Sequence, residues 1–302
     1  MTIIIVTCSR ERLLRRTIQS ILKSDRPESL REIIVAEIGE SSDAAGVLEG
    51  FSGELPIKRV RLESRSKCNA LNHALEAAED DFILFFDDDV EVAPGTIRLF
   101  SEAAEKFGPG HYFGGSITCE FESPLPSWLE EFVPPGYQPF RPLSEDGEHS
   151  TFIGMNWAAF KRDLDEAGRF NVKIGPGSDS GINGDETLMM RCLRGVGCKG
   201  RFLAEAEVKH FVSSASTVPS WSLKRAYIEG MERAILDEGN EDTVTVFGVP
   251  RWVLRQMIIN FFTSILAKCS SDPARRFRPV YELSFFKGYL AGWISVLRGT
   301  IT

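Results

Sequence analysis

The sequence predicts an α/β fold with a mostly parallel central sheet, covered by helices on both faces, and a helical C-terminal extension. Three observations carry this. Short β-branched or aliphatic runs alternate with helix-period segments through the first hundred residues, the pattern of strands joined by helical crossovers. The run Phe82-Ile83-Leu84-Phe85-Phe86 is apolar without alternation, as a strand buried on both faces must be. From Ser222 onward, aromatic and aliphatic residues recur at helical spacing.

Taken in order, Ile3–Val6 reads as the first strand, Glu11–Lys23 as a helix, Ile33–Ala36 as a strand and Asp43–Phe51 as a helix. Ile57–Arg61 is a strand, Lys67–Ala78 a helix, and Phe82–Phe86 the central strand. Pro94 in the first turn and Gly108 just past the end punctuate a helix over Gly95–Phe107. A strand follows over Tyr112–Cys119, then a Pro- and aromatic-rich stretch, Ser123–Pro142, with no steady period and the character of a loop or lid. Phe152–Phe160 reads as strand or strand-turn, Asp185–Gly195 as a helix, and Gly200–Phe211 as paired extended segments. Ser222–Leu236 and Trp252–Thr302 are helical. The expected organisation is an α/β domain over 1–235, divided into halves 1–110 and 111–235, and a helical extension over 236–302.

With 302 residues and 43% hydrophobic content the chain can bury a full core. A net charge of -8 disfavours nucleic acid as a partner. The six cysteines form no Cys-x-x-Cys pair, which argues against a zinc knuckle or disulfide framework and for reduced thiols in a cytoplasm. Thr2-Ile3-Ile4-Ile5-Val6 lacks the basic front and cleavage site of a secretory leader and is expected to be a strand, and no run reaches the roughly 18 apolar residues of a membrane span.

The central strand ends in Asp87-Asp88-Asp89. Ligands of open α/β sheets meet the carboxyl ends of strands. Carboxylates about 4 Å apart repel by about 4 kcal/mol at an effective dielectric near 20, so a positive partner is expected. Alternation points Asp87 and Asp89 to one side, and oxygen ligands suit Mg²⁺ or Mn²⁺. Such an ion would neutralise a departing diphosphate; a solvated acidic turn is the competing reading.

These motifs, with others in order, resemble a family 2 glycosyltransferase of the GT-A fold, a Rossmann-like architecture, over about the first two thirds of the chain. Thr7-Cys8-Ser9-Arg10 resembles the family's Thr-x-Asn-Arg with Ser9 for Asn. Glu37, then Gly39, Ser41, Ser42 and Asp43, resemble the acidic residue and Gly-Ser-x-Asp, with Glu for the usual Asp. Lys67 to Asn72 resembles the basic residue followed by Ala-Leu-Asn, and Asp87 and Asp89 the Asp-x-Asp. The resemblance implies donor contacts at Thr7, Ser9, Arg10, Glu37, Lys67, Asn72, Asp87 and Asp88, and a metal on Asp87, Asp89 and His210. Gly184-Asp185-Glu186-Thr187 resembles the family's Gly-Glu-Asp-Thr with the acids exchanged. Register from Gly197 and His210 favours Glu186 as base, and residue type favours Asp185. Gly154-Met155-Asn156-Trp157-Ala158 resembles a stretch near the acceptor, which implies acceptor contacts at Asn156 and Trp157.

The implied activity is inverting transfer from a nucleoside-diphosphate sugar, UDP before GDP, to a carbohydrate or lipid-linked hydroxyl in cell-surface polysaccharide or glycolipid synthesis. A sugar nucleotidyltransferase needs a glycine-rich loop after the first strand, and Cys8-Ser9-Arg10-Glu11-Arg12 has none. A non-catalytic sugar-nucleotide-binding protein is the other alternative. The basic-flanked C-terminal helices are candidates either for packing on the protein, including a homo-oligomer, or for peripheral contact with the inner face of a membrane.

Overall fold

The computed structural model describes residues 1–39, 43–51, 53, 55–141, 151–236, 244–246 and 248–297. Ser41, Ser42 and Pro142 lie outside them. The chain divides into two compact units. The first comprises 1–120, 135–179 and 184–211, and the second 121–134, 180–183 and 212–302.

The first unit is built on β1 (Thr2–Thr7), α1 (Glu11–Lys23), β2 (Glu32–Ile38), α2 (Ala44–Leu48), β3 (Ile57–Leu62), α3 (Lys67–Ala77), β4 (Phe82–Asp87), β5 (Val90–Val92) and α4 (Thr96–Phe107). β6 (His111–Phe121), β7 (Asn156–Phe160), α5 (Lys161–Glu166), α6 (Asp185–Gly195) and β8 (Lys199–Val212) follow. The strands form a sheet in the order β3-β2-β1-β4-β7-β6-β8-β5. It is mixed rather than parallel throughout: β3, β2, β1 and β4 run parallel, while β7 pairs antiparallel with β4 and β6, and β5 with β8.

Pleating sends successive residues of β1 to opposite faces. Ile3 and Ile5 pack with Leu14, Ile18 and Ile21 of α1 and Ile97 and Phe100 of α4. Ile4 packs on the other face with Leu71, Ala74 and Leu75 of α3 and Met189 and Met190 of α6. The same alternation in β2 and β4 explains why all three strands read as unbroken apolar runs.

Two expectations change. Lys199–Val212 is one continuous strand and not paired extended segments, and its burial alternates except at the half-buried pair Leu203 and Ala204. Asp43–Phe51 is a short helix finished by a 3-10 turn, with the Asp43 side chain accepting from the Gly46 amide at its start.

The second unit contains α7 (Pro219–Leu236), a small hairpin of β9 (Thr245–Val246) and β10 (Val249–Pro250), α8 (Arg251–Ala267) and α9 (Pro273–Leu297). Its core gathers Ala234, Val253, Tyr289 and Trp293. The helices α7 and α9 approach closely at glycines: a Cβ on Gly230 would lie 2.0 Å from the Phe285 carbonyl, and one on Gly288 would lie 1.8 Å from that of Tyr227. Among the described residues, no helix is long and apolar enough to cross a membrane.

Candidate active site

The carboxyl end of β4 lies beside that of β1, with Val6 in register with Asp87. Thr7 donates its hydroxyl to Asp88 at 2.6 Å. Ser9 follows with φ 51, in the left-handed region. The turn brings Arg10 back to Asp88 at 3.1 Å and Asp89 at 2.6 Å. Burial pushes the Asp88 carboxyl up to about 7, with Arg10 opposing. Burial likewise works against the Arg10 charge, but the Asp88 and Asp89 carboxylates hold its pKa above the ordinary value.

The turn carrying these acids is pinned by Thr17, which the sequence reading did not single out. From the buried face of α1, its hydroxyl meets the carbonyls of Asp88 at 3.0 Å and Val90 at 2.7 Å and accepts from the Val90 amide at 3.2 Å. The signal was available: a threonine stands where the helix period calls for an aliphatic residue.

Asp87 faces the other way. Lys67 Nζ lies 3.0 Å from Asp87 and 2.6 Å from Glu186, so one ammonium joins the strand end to the first turn of α6. Lys67 is itself fixed at the start of α3, where Ser66 caps the Asn69 amide and the Lys67 amide donates to the Pro176 carbonyl. Gly177 makes that approach feasible, because at φ +76 a Cβ would come 1.9 Å from the Arg65 carbonyl.

The two acids opening α6 differ in state. Asp185 is 3% exposed. Its burial, with the neighbouring Glu186 charge, pushes its carboxyl well up. Burial would also raise Glu186, but the Lys67 ammonium and its hydrogen bond hold it below the usual carboxylate range. Lys67 loses charge stability to burial and regains more from Asp87 and Glu186, so its pKa lies well above the ordinary lysine value. The two acids are therefore pushed in opposite directions, Glu186 toward the charged form by the lysine it touches and Asp185 toward the neutral form by its burial. Gly154 backs Glu186: a Cβ there would stand 2.2 Å from its Oε1.

His210 comes from β8, in register with Val90. Its Nδ1 lies 2.6 Å from the Gly136 carbonyl, which fixes that nitrogen as a donor and leaves Nε2 facing Asp89 Oδ2 at 3.7 Å. Burial opposes protonation, yet the Asp89 carboxylate pushes the imidazole up to about 10. Asp89 Oδ1 is buried without a hydrogen-bond partner. A carboxylate oxygen lacking a donor and an imidazole oriented through a backbone carbonyl are the features of a cation site. Asp87, expected to share a side with Asp89, is instead turned to Lys67 while Asp89 meets Arg10 and His210, and among the described residues no group of three or more His, Cys, Asp or Glu is gathered as a metal site.

Other expected contacts fall elsewhere. Glu37 is fully buried, accepts the Ala44 amide at 2.7 Å and holds Arg59 at 2.6 Å, so it braces β3 and α2 and presents no free carboxylate to a donor. Asn72 ties its amide to the Phe170 backbone in both directions, at 2.9 and 3.1 Å, and is structural. Asn156 is fully buried and donates to the carbonyls of Ser116 and Ala206, out of reach of an acceptor. Trp157 is stacked on Phe85 at 4.6 Å and is a core residue, with one edge at the narrow gap beside Lys67, Asp87 and Glu186.

The sequence model of glycosyl transferase family 2 matches residues 2–168, from β1 through α5. The chain belongs to that family. A GalNAc(5)-diNAcBac-PP-undecaprenol beta-1,3-glucosyltransferase of Campylobacter jejuni is 29% identical over 178 residues, 58% of this chain and 55% of that protein. The poly(ribitol-phosphate) beta-N-acetylglucosaminyltransferase TarS of Staphylococcus aureus is 26% identical over 99 residues, 32% of this chain and 17% of TarS. The match therefore covers about half or less of these relatives. Among solved structures, S. aureus TarS 1-349 in complex with UDP covers 99% of this chain and 91% of its own at TM-score 0.54 and 14% identity. Mannosyltransferase PcManGT of Pyrobaculum calidifontis, in complex with GDP-Man and Mn²⁺, covers 98% of this chain and 86% of its own at TM-score 0.58 and 16% identity. At those identities the likeness is one of fold, and the fold is GT-A.

Proposed function

We propose that this family 2 chain is an inverting glycosyltransferase that moves a sugar from a nucleoside-diphosphate donor to a hydroxyl of a polysaccharide or glycolipid acceptor, with Glu186 as general base. The observation that carries the assignment is the Lys67 ammonium, which reaches Glu186 at 2.6 Å and Asp87 at 3.0 Å and, among the described residues, touches no oxygen of Asp185. The Lys67 ammonium holds Glu186 below the usual carboxylate range, whereas burial pushes the Asp185 carboxyl up. Only an ionised carboxylate can accept the proton of an attacking hydroxyl.

In the proposed step the acceptor oxygen attacks the anomeric carbon as its proton passes to Glu186. The bond from that carbon to the diphosphate oxygen breaks on the opposite face, and the nucleoside diphosphate leaves with the electron pair. Arg10 lies on the acidic turn at the carboxyl end of β4, where a diphosphate would be met, and its side chain is 51% exposed. Lys67 positions Glu186 against Asp87. Asp89 and His210 would hold Mn²⁺ or Mg²⁺, which when bound supplies Lewis-acid stabilisation of the departing diphosphate. A mannosyltransferase of the same fold was solved with Mn²⁺, which supports this reading.

UDP is the expected donor nucleotide, as in the TarS complexes with UDP and UDP-GlcNAc, and a lipid-linked acceptor is the expected partner, as in the name of the Campylobacter relative. Calorimetric titration of UDP and GDP, each with Mn²⁺ and with chelator, tests the donor and the ion together. Metal-dependent binding of UDP supports the reading. Binding of neither nucleotide removes the donor class, and binding that survives chelation removes the ion.

A further inference from the structure

The helix α8 turns inward a side that is half polar and leaves most of its large apolar residues outward. Val253 and Asn260 are its buried positions, with Gln256, Met257, Ser264 and Ala267 half-buried on the same side. The outward stripe holds Ile258 at 60% exposure, Phe262 at 60%, Ile265 at 48% and Leu266 at 73%, flanked by Ile259 and Phe261. A helix stabilised by its own protein's core shows the reverse. The inward polar groups gain little in return: Asn260 Nδ2 has no hydrogen-bond partner, and Ser264 folds back on the Phe261 carbonyl of its own helix. Burial within this chain therefore does not account for the outward stripe, and so contiguous an apolar surface marks a binding face.

Charge indicates the partner. From Arg251 to Arg278 the chain carries Arg251, Arg255, Lys268, Arg275, Arg276 and Arg278 against the single acid Asp272, although the whole chain has a net charge of -8. Arg275 is near Asp272 and Arg278 pairs with Glu131. Arg251, Arg255, Lys268 and Arg276 are exposed and have no ion pair among the described residues. Arg251 and Arg255 occupy the same side of α8 as the apolar stripe, about two turns and one turn before it respectively. A parallel two-fold pairing of α8 with a second copy would set this basic row against itself, and an antiparallel one would lay Arg251 and Arg255 on the apolar end of the stripe.

We infer that α8 lies on an anionic lipid bilayer, with Ile258, Phe262, Ile265 and Leu266 inserted among the acyl chains and Arg251, Arg255 and Lys268 at the headgroups. The helix, 17 residues long, is about 25 Å from end to end and would rest in the plane of the interface. This inference is independent of the assignment of Glu186 and of the donor.

The test is flotation of the purified chain with phosphatidylcholine vesicles containing or lacking phosphatidylglycerol, at low and high salt. The wild type is expected to float with the anionic vesicles at low salt and to be released by salt. Ile258→Asp with Phe262→Asp should lower partition more than about a hundredfold with an unchanged circular dichroism spectrum, since both side chains are exposed. Arg255→Gln and Lys268→Gln should each weaken it about fivefold. No flotation at low salt overturns the inference, as does equal flotation of the double aspartate variant. Sedimentation velocity closes the alternative: self-association that the same variant abolishes, without vesicle binding, would assign the face to a second copy.

Discussion

Lys67 holds two carboxylates that differ in purpose, Asp87 at the strand end and Glu186 at the helix start. Removing it as Lys67→Met leaves both acids without their cation, at a cost of about 3–5 kcal/mol in chemical denaturation. The sign of the pH effect follows from the direction of the Glu186 shift. Its native pKa is lowered, so its contribution to stability is present above the unfolded value, near 4.3, and is lost as pH falls through the lower native value. The wild-type transfer rate should thus stay flat through the usual carboxylate range, and the acid limb should move to higher pH in Lys67→Met. At the base itself, Glu186→Gln should cut single-turnover transfer by about 10²–10⁴ while donor binding persists. Asp185→Asn, which replaces a carboxyl that burial turns toward its neutral form, should lose under about tenfold. The reverse ranking of those two variants would make Asp185 the base.

At the scale of elements, the site depends on glycines that let one segment cross another. Gly154→Ala should abolish transfer, because the added methyl occupies the place of the Glu186 carboxylate. In the second unit, α7 and α9 touch backbone to backbone at Gly230 and Gly288. Gly288→Leu should cost about 1–3 kcal/mol or more in a thermal or urea melt, since carbonyls of a packed helix cannot move aside as a side chain can. The period and end signals made α1, α3, α4 and α6 legible in sequence. What they could not show is which glycines serve a close approach, since Gly154, Gly177 and Gly288 look like any other glycine until the crossing segment is in place. Thr17 was legible in principle as a polar residue on an apolar face, but its partners are more than 70 residues away.

For the whole molecule, the acidic strand end and its basic neighbours were legible because they are local motifs in a fixed order. The sites of Glu37, Asn72, Asn156 and Trp157 were not, because each depends on what the rest of the fold packs against it. The antiparallel half of the sheet was hidden for a related reason: β6, β7 and β8 are separated by long connections, and strand direction is set by crossovers that leave no local period. The interleaving of the two units is equally invisible, since 121–134 and 180–183 join the second unit from within the span of the first. The two units differ in the size of their cores. β1, β2 and β4 lie between two extensive apolar clusters, whereas the helices of the second unit enclose Ala234, Val253, Tyr289 and Trp293 with few partners. Opening free energy tracks buried apolar contact. In native-state hydrogen exchange the amides of α8 should therefore exchange first, those of α7 and α9 next, and those of β1, β2 and β4 only with global unfolding. Anionic vesicles should slow α8 selectively. Exchange of α8 as slow as that of β4 in the free protein would show that its inward face is better packed than its side chains indicate, and would remove the energetic reason for a bilayer to cover the other side.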